Sequence, residues 1–379
     1  MYGISYTLLG TLVLVNFCTQ LTVDLIFTFF NKYFDIHKTV RIMPLLTCAG
    51  LMIYAIVPSL LPQYAYAGLL AGTVNFSVAA GLCEVLLSAV VAALPSETPD
   101  RDLSVLHSLF GYGVVLVVSL STAFLKLFGN ENWMYLTMFL GLLPLGSFIL
   151  FCISPLPQMQ MSHNSATGNA GSRNMGLALC VLCIFFGSGA ENAMTNWISS
   201  FLENALFIPK MLGDTLGMAS FALLLAIART LYAKYGKNIH KVLLWSMTGA
   251  VVCYLVAGLS SGVILPLIAC TVTGLCTSML WPGALILMEE KIPNPGVAAY
   301  ALMAAGGDFG GSVAPQLQGV VVDVVTASDW ASRLGGGLSM SPEQVGMKAG
   351  MLVSALFPIF GVVVLILAKR FFERQGRQA

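Results

Sequence analysis

Four acidic side chains, Asp24, Glu84, Glu191 and Asp308, stand inside long apolar stretches of this sequence. An ionisable group at bilayer depth costs about 2.5–3.5 kcal/mol on insertion scales, so each needs a compensating purpose. A carboxyl in such a place can trade a proton between a closed state and a water-exposed one. That is the chemistry of ion coupling.

Each acid shares a helical face with other polar groups. Asn16, Gln20 and Asp24 recur every four residues. Thr73, Ser77, Glu84 and Ser88 fall within ~60° of one another, and Ser188, Glu191, Asn192, Thr195 and Ser199 within ~100°, at 3.6 residues per turn. Asn196 lies at the margin of that second arc and Trp197 outside it. A break at Gly187 or Gly189 would re-aim both. Asp308, Ser312, Gln316 and Asp323 line up, with Pro315 nearby and a glycine pair on each side of Asp308. Thr273, Thr277 and Trp281 form a milder stripe. Lipid penalises such stripes, so they are expected to face one another around a hydrated cavity between two half-bundles. A structural reading competes: the acids pair with Arg229, His107 or backbone groups between helices. It suits Asp24, which stands close to a basic loop and would clamp helix ends. It also suits Asp323, near the outer surface.

The elements that carry these residues follow from composition. Hydrophobic residues make up 57% of the 379, and charged residues only 9%. Eleven apolar blocks, at approximately 5–30, 42–61, 66–94, 105–126, 133–153, 175–203, 213–235, 241–259, 262–288, 297–325 and 345–370, are each long enough to span a ~30 Å hydrocarbon core as a helix. The expected fold is an all-α polytopic membrane protein with about eleven transmembrane helices in two half-bundles, five plus six. Its parts are an N-terminal half at 1–153, a polar Gly/Ser/Asn-rich cytoplasmic linker at 154–174 and a C-terminal half with a short basic tail at 175–379. Fourteen of the eighteen lysines and arginines fall on one side of the alternating connections, which predicts a cytoplasmic C-terminus in the cell membrane.

Two fragments occur twice in the same order. "KYFDIHKTV" from Lys32 resembles "KYGKNIHKV" from Lys234, and "GLCEV" from Gly81 resembles "GLCTS" from Gly274. They predict a duplicated bundle. Counted from the repeat, the first half lacks an opening helix, so a twelve-helix ancestral plan is expected, with this chain starting after its first helix.

Other functions find little support. A net charge of +1 without a basic stripe argues against nucleic acid. Cys180 and Cys183 form a C-x-x-C inside a membrane-length run with no histidine, which reads as apolar packing; no metal or cofactor is expected. There is no H-E-x-x-H, G-x-S-x-G or P-loop. "AAGGDFGG" around Asp308 approaches the G-x-G-D of intramembrane proteases, but Ala305 occupies the first glycine position. An enzyme is not expected.

The two half-bundles, the linker and the basic turns resemble the major facilitator superfamily. Within it, "AGLLAGTVNFSVAAGLCEVLLSAVVAALP" and "GSGAENAMTNW" are similar to the fucose permease-like family, which includes bacterial sugar–proton symporters. Glu84 matches the glutamate that follows a small-residue run in that family's fourth helix. Glu191 with Trp197 resembles a "G-x-E…W" pattern of its seventh. The family's "E-T-x-x-N-P" is replaced by "EVLLSAV", and the superfamily turn persists only as Asp24 and a looser basic loop.

The resemblance implies a monomeric secondary transporter for a small polar solute, a sugar, with the proton as coupling ion and sodium as the alternative. Glu84, Glu191 and Asp308 are then the proton-coupling candidates. Gln20, Asn192, Asn196 and Gln316 offer hydroxyl-binding groups, with Trp197 or Trp281 as a stacking face. Asp24 and Arg229 are structural or gating candidates. A drug or metabolite exporter and a non-transporting sensor or defective paralogue are the alternatives.

Overall fold

The computed structural model describes residues 6–158, 170–209, 212–338 and 340–376. Most of the linker at 154–174 lies outside them, as do Lys210 and Arg377. The described residues are helical almost throughout and contain no strand. The helices are α1 (Tyr6–Phe30), α2 (Ile36–Leu60), α3 (Ala65–Ala92), α4 (Pro99–Phe128), α5 (Trp133–Ile153) and α6 (Ala170–Asn204). After a π-helical turn at Gly213–Ala219 come α7 (Ser220–Tyr235), α8 (Ile239–Leu259), α9 (Ile264–Thr277) and α10 (Leu280–Lys291). They are followed by α11 (Gly296–Thr326), α12 (Asp329–Leu338), α13 (Pro342–Ser354) and α14 (Leu356–Gly376).

All eleven apolar blocks are therefore helical, two of them split: 262–288 into α9 and α10, and 345–370 into α13 and α14. Among the described residues, nine helical stretches have the length and hydropathy to cross a bilayer. The tenth block, α11, is not among the nine. In α11 the polar residues Asp308, Gln316, Gln318 and Asp323 lower the apolar character that length alone would supply.

By its contacts the chain groups into two units. One comprises Met1–Pro99, Leu116–Ser165 and Asn294–Ala305; the other comprises Asp100–Val115, Ala166–Pro293 and Gly306–Ala379. Two helices, α4 and α11, thus contribute a segment to each.

In the first unit α2 packs on α3 and α5, and α1 packs on α3. The polar stripes of α1 and α3 do meet: the Ser77 hydroxyl donates to Asn16 Oδ1 at 2.6 Å. A methyl on Gly81 would lie 3.1 Å from the Val23 side chain and 3.3 Å from the Gln20 Cα, so the missing side chain lets the two backbones close up.

In the second unit α6 packs on α10 and α14, while α8 packs on α9, α13 and α14, and α7 on α9. Phe201, Ile184, Met194 and Tyr254 have no exposed surface. The one polar end among these large side chains, the Tyr254 hydroxyl, donates to the Ala190 carbonyl at 2.7 Å, which removes the cost of burying it. Cys180 and Cys183 are buried as packing residues.

The repeated fragments do the same work in each unit. Asp35 caps α2 by accepting the Lys38 N–H at 3.2 Å, and Asn238 caps α8 by accepting the Lys241 N–H at 3.2 Å. Two residues after each cap stands a histidine. His37 Nε2 lies 3.1 Å from the Pro157 carbonyl oxygen, and His240 Nε2 lies 2.9 Å from that of Leu365. Gly274, the counterpart of Gly81, lies so close to the Phe221 backbone that a methyl there would overlap the carbonyl. Cap, imidazole contact and close glycine recur in one order.

Candidate functional site

Among the described residues of the second unit, a dense polar arrangement gathers on Arg229, in the second half of α7. Its side chain is 3% exposed and that of its partner Glu191, on α6, is 14% exposed. The guanidinium makes three kinds of contact. Nη2 donates to the Glu191 carboxylate at 3.2 and 3.3 Å, Nη1 to the His107 carbonyl at 3.0 Å, and Nε to the Ser278 carbonyl at 2.7 Å. The Arg229 carbonyl in turn accepts the Ser104 hydroxyl at 2.7 Å. A buried cation is tolerated only when paired and hydrogen-bonded, and here each nitrogen has an acceptor.

One of these acceptors is a product of local sequence. In a regular helix the Ser278 carbonyl would receive the N–H of residue 282, but that residue is Pro282, which has none. Helical bonding restarts one position later, with Gly283 N–H on the Met279 carbonyl at 2.8 Å. The chain divides here into α9 and α10, and Arg229 takes the carbonyl left over.

Along α6 the amides form a ladder. Asn192 Nδ2 donates to the carbonyl and hydroxyl of Ser188 at 3.1 and 3.2 Å, and Asn196 Nδ2 donates to the Asn192 carbonyl at 2.9 Å. Asn192 is half-buried and Asn196 exposed. The helix runs unbroken through Gly187 and Gly189. The two glycines serve close packing and not a break: a methyl on Gly187 would lie 2.8 Å from the Leu280 side chain, and one on Gly189 would overlap the Phe357 ring.

The glycines around Asp308 act likewise. Gly310 sits against the Phe185 backbone and Gly307 against the Trp281 ring, each too close for a Cβ. They bring α11 onto α6 and α10 and place buried Asp308 in that seam. Trp197 reaches α11 as well: its indole N–H donates to the Pro315 carbonyl at 3.0 Å, with its ring over Gly319. Gln316 is exposed, whereas Gln318 is buried and accepts the Ser354 hydroxyl at 2.7 Å.

The second unit therefore holds Glu191, Asn192, Asn196, Trp197, Arg229, Trp281, Asp308 and Gln316. Among them the geometry joins Glu191 to Arg229 and Asn192 to Asn196. Gln20, Asp24 and Glu84 belong to the first unit. There Asp24 has no exposed surface, and Glu84 and Gln20 are half-buried. Three participants escaped the sequence reading: Ser104, the Ser278 carbonyl and Gln318. Only the second had a readable signal, a proline four residues after Ser278.

Known structures share this architecture. A variant of the E. coli fucose:proton symporter superposes with a TM-score of 0.64 at 13% identity, over 94% of this chain and 91% of that one. A proton:xylose symporter bound to a brominated glucose gives 0.73 at 12%, over 95% and 88%. The human organic anion transporter gives 0.62 at 15%, over 94% and 82%. Identities this low speak for the fold alone. Comparison with curated proteins gives no significant match. The sequence profile of the Major Facilitator Superfamily matches residues 1–315, most of the length. The chain is a membrane transporter of that superfamily.

Proposed function

We propose that this protein is a secondary active transporter that moves a small polar solute, a sugar, by proton symport with alternating access. The observation that carries the reading is the buried Glu191–Arg229 pair beside the Asn192–Asn196 amide ladder on one helix. A carboxyl buried at bilayer depth can take up a proton, and the amide oxygens can accept solute hydroxyls. The likeness to fucose:proton and proton:xylose symporters supports the same assignment.

In this proposal Glu84, Glu191 and Asp308 handle the proton. Gln20, Asn192, Asn196 and Gln316 meet the solute hydroxyls, with Trp281 and Trp197 offering ring faces. Asp24 and Arg229 hold or gate the helices. A monomer in the cell membrane with a cytoplasmic C-terminus belongs to the same proposal, as does the division into halves at 1–153 and 175–379. A metabolite exporter is the second reading, and likeness to an organic anion transporter extends the solute class beyond sugars.

The test is uptake into proteoliposomes of purified protein with labelled fucose, xylose, glucose and a lipophilic organic anion as separate probes. A sugar accumulated against its gradient under an inward proton gradient, and collapsed by a protonophore, is expected. Counterflow of the anion with none of the sugars would replace this reading by the exporter.

A further inference from the structure

We infer that Arg229 is the positioning residue of the joint between α9 and α10, and that its grip on the Ser278 carbonyl depends on the negative charge of Glu191. The inference deepens the reading above, in which Glu191 takes up the proton. It turns that event into a mechanical signal.

The joint exists because Pro282 supplies no N–H to Ser278. Ser278 is 1% exposed, so water does not replace the missing donor, and Arg229 Nε does so at 2.7 Å. A guanidinium is a rigid planar fork, so its three arms cannot move independently. Glu191 holds one arm, the His107 carbonyl another and Ser278 the third. Neutralising Glu191 leaves a cation, 3% exposed, whose remaining hydrogen bonds go to the neutral carbonyls of His107 and Ser278. Such a charge is costly unless it draws in water or moves, and either response takes Nε away from Ser278. Trp281 stands three residues beyond Ser278 and packs on Gly307, so the joint also touches the segment that carries Asp308.

Other titratable groups stand on the neighbouring helices. The His107 ring comes from α4 and Asp308 from α11. Tyr254 of α8 spends its hydroxyl on the Ala190 carbonyl, and Cys276 of α9 faces Cys253 of α8 at 4.0 Å. Arg229 bonds both oxygens of the Glu191 carboxylate.

The experiment is amide hydrogen exchange on the full chain in lipid nanodiscs at one neutral pH, which needs no solute. Glu191→Gln should speed exchange over residues 279–286 about tenfold, the worth of one charge-assisted hydrogen bond, while α8 and α13 keep their protection. Arg229→Lys, which lacks the fork, should do the same. Pro282→Ala acts from the other end: it restores the N–H to Ser278, so exchange in that segment should fall below wild type and stop responding to Glu191→Gln. Unchanged exchange in Glu191→Gln, or loosening spread evenly over the second unit, would overturn the inference. So would a joint that still responds in the Pro282→Ala background. Uptake reports separately: a responsive joint without proton-driven uptake keeps this inference and removes the symport reading, and the reverse result does the opposite.

Discussion

Trp197 gives its indole N–H to the carbonyl of Pro315 at 3.0 Å, so an aromatic ring cast as a solute platform is also a rivet between α6 and α11. Trp197→Phe keeps a ring face and loses the bond. A net hydrogen bond is worth about 1 kcal/mol, so in a chain of 379 residues the melting temperature should fall by about one degree. Thermal unfolding in detergent checks this; an unchanged midpoint removes the rivet.

Glu84 should be needed for coupling rather than for solute binding. Glu84→Gln is expected to abolish pH-driven accumulation while solute counterflow persists. Full pH dependence of uptake in that variant would remove Glu84 from the proton path.

The Arg229–Glu191 pair should be asymmetric. Removing one partner of a buried ion pair costs about 3–5 kcal/mol, because the other charge is stranded. Arg229→Met also strands the carbonyls of Ser278 and His107, so it should destabilise more than Glu191→Gln. Melting points of both variants give the order, and the reverse order would contradict the hub.

Asp35 lies outside the spans, and the Lys38 backbone N–H it accepts holds its carboxyl below the usual carboxylate range. A depressed value in the folded state means stability present at neutral pH and lost as pH falls through that value. The gap in melting temperature between wild type and Asp35→Ala should therefore narrow towards pH 3. A constant gap would show that the carboxylate charge plays no part.

Asn238 caps α8 from a left-handed backbone, at φ 52°. Asn238→Ala should cost about 1 kcal/mol through the lost cap. Asn238→Gly should cost less, since glycine adopts that conformation without strain. Denaturation midpoints of the two variants test the order.

The helices were legible because apolar runs of membrane length have one stable outcome; the repeat that holds Asp35 and Asn238 was legible too, but their role as caps was not. Glycine was the harder letter. Gly187 and Gly189 permit either a break or a close approach, and only the neighbours, Leu280 and Phe357, decide. The Arg229 hub was half visible: its pairing with a buried acid stood among the alternatives, but carbonyls as partners leave no mark in side-chain patterns. Stripe counting also drifts. Gln316 sits eight residues from Asp308, about 80° round the helix at 3.6 residues per turn, and ends exposed, while Gln318 is buried against Ser354.

His37 and His240 each lean on a carbonyl far along the chain. One polypeptide thereby carries two copies of the same fastening, each in its own chemical neighbourhood. A substitution at either histidine has an untouched twin beside it in the same sample. Comparing the two separates what an imidazole does by its shape from what its surroundings make of it.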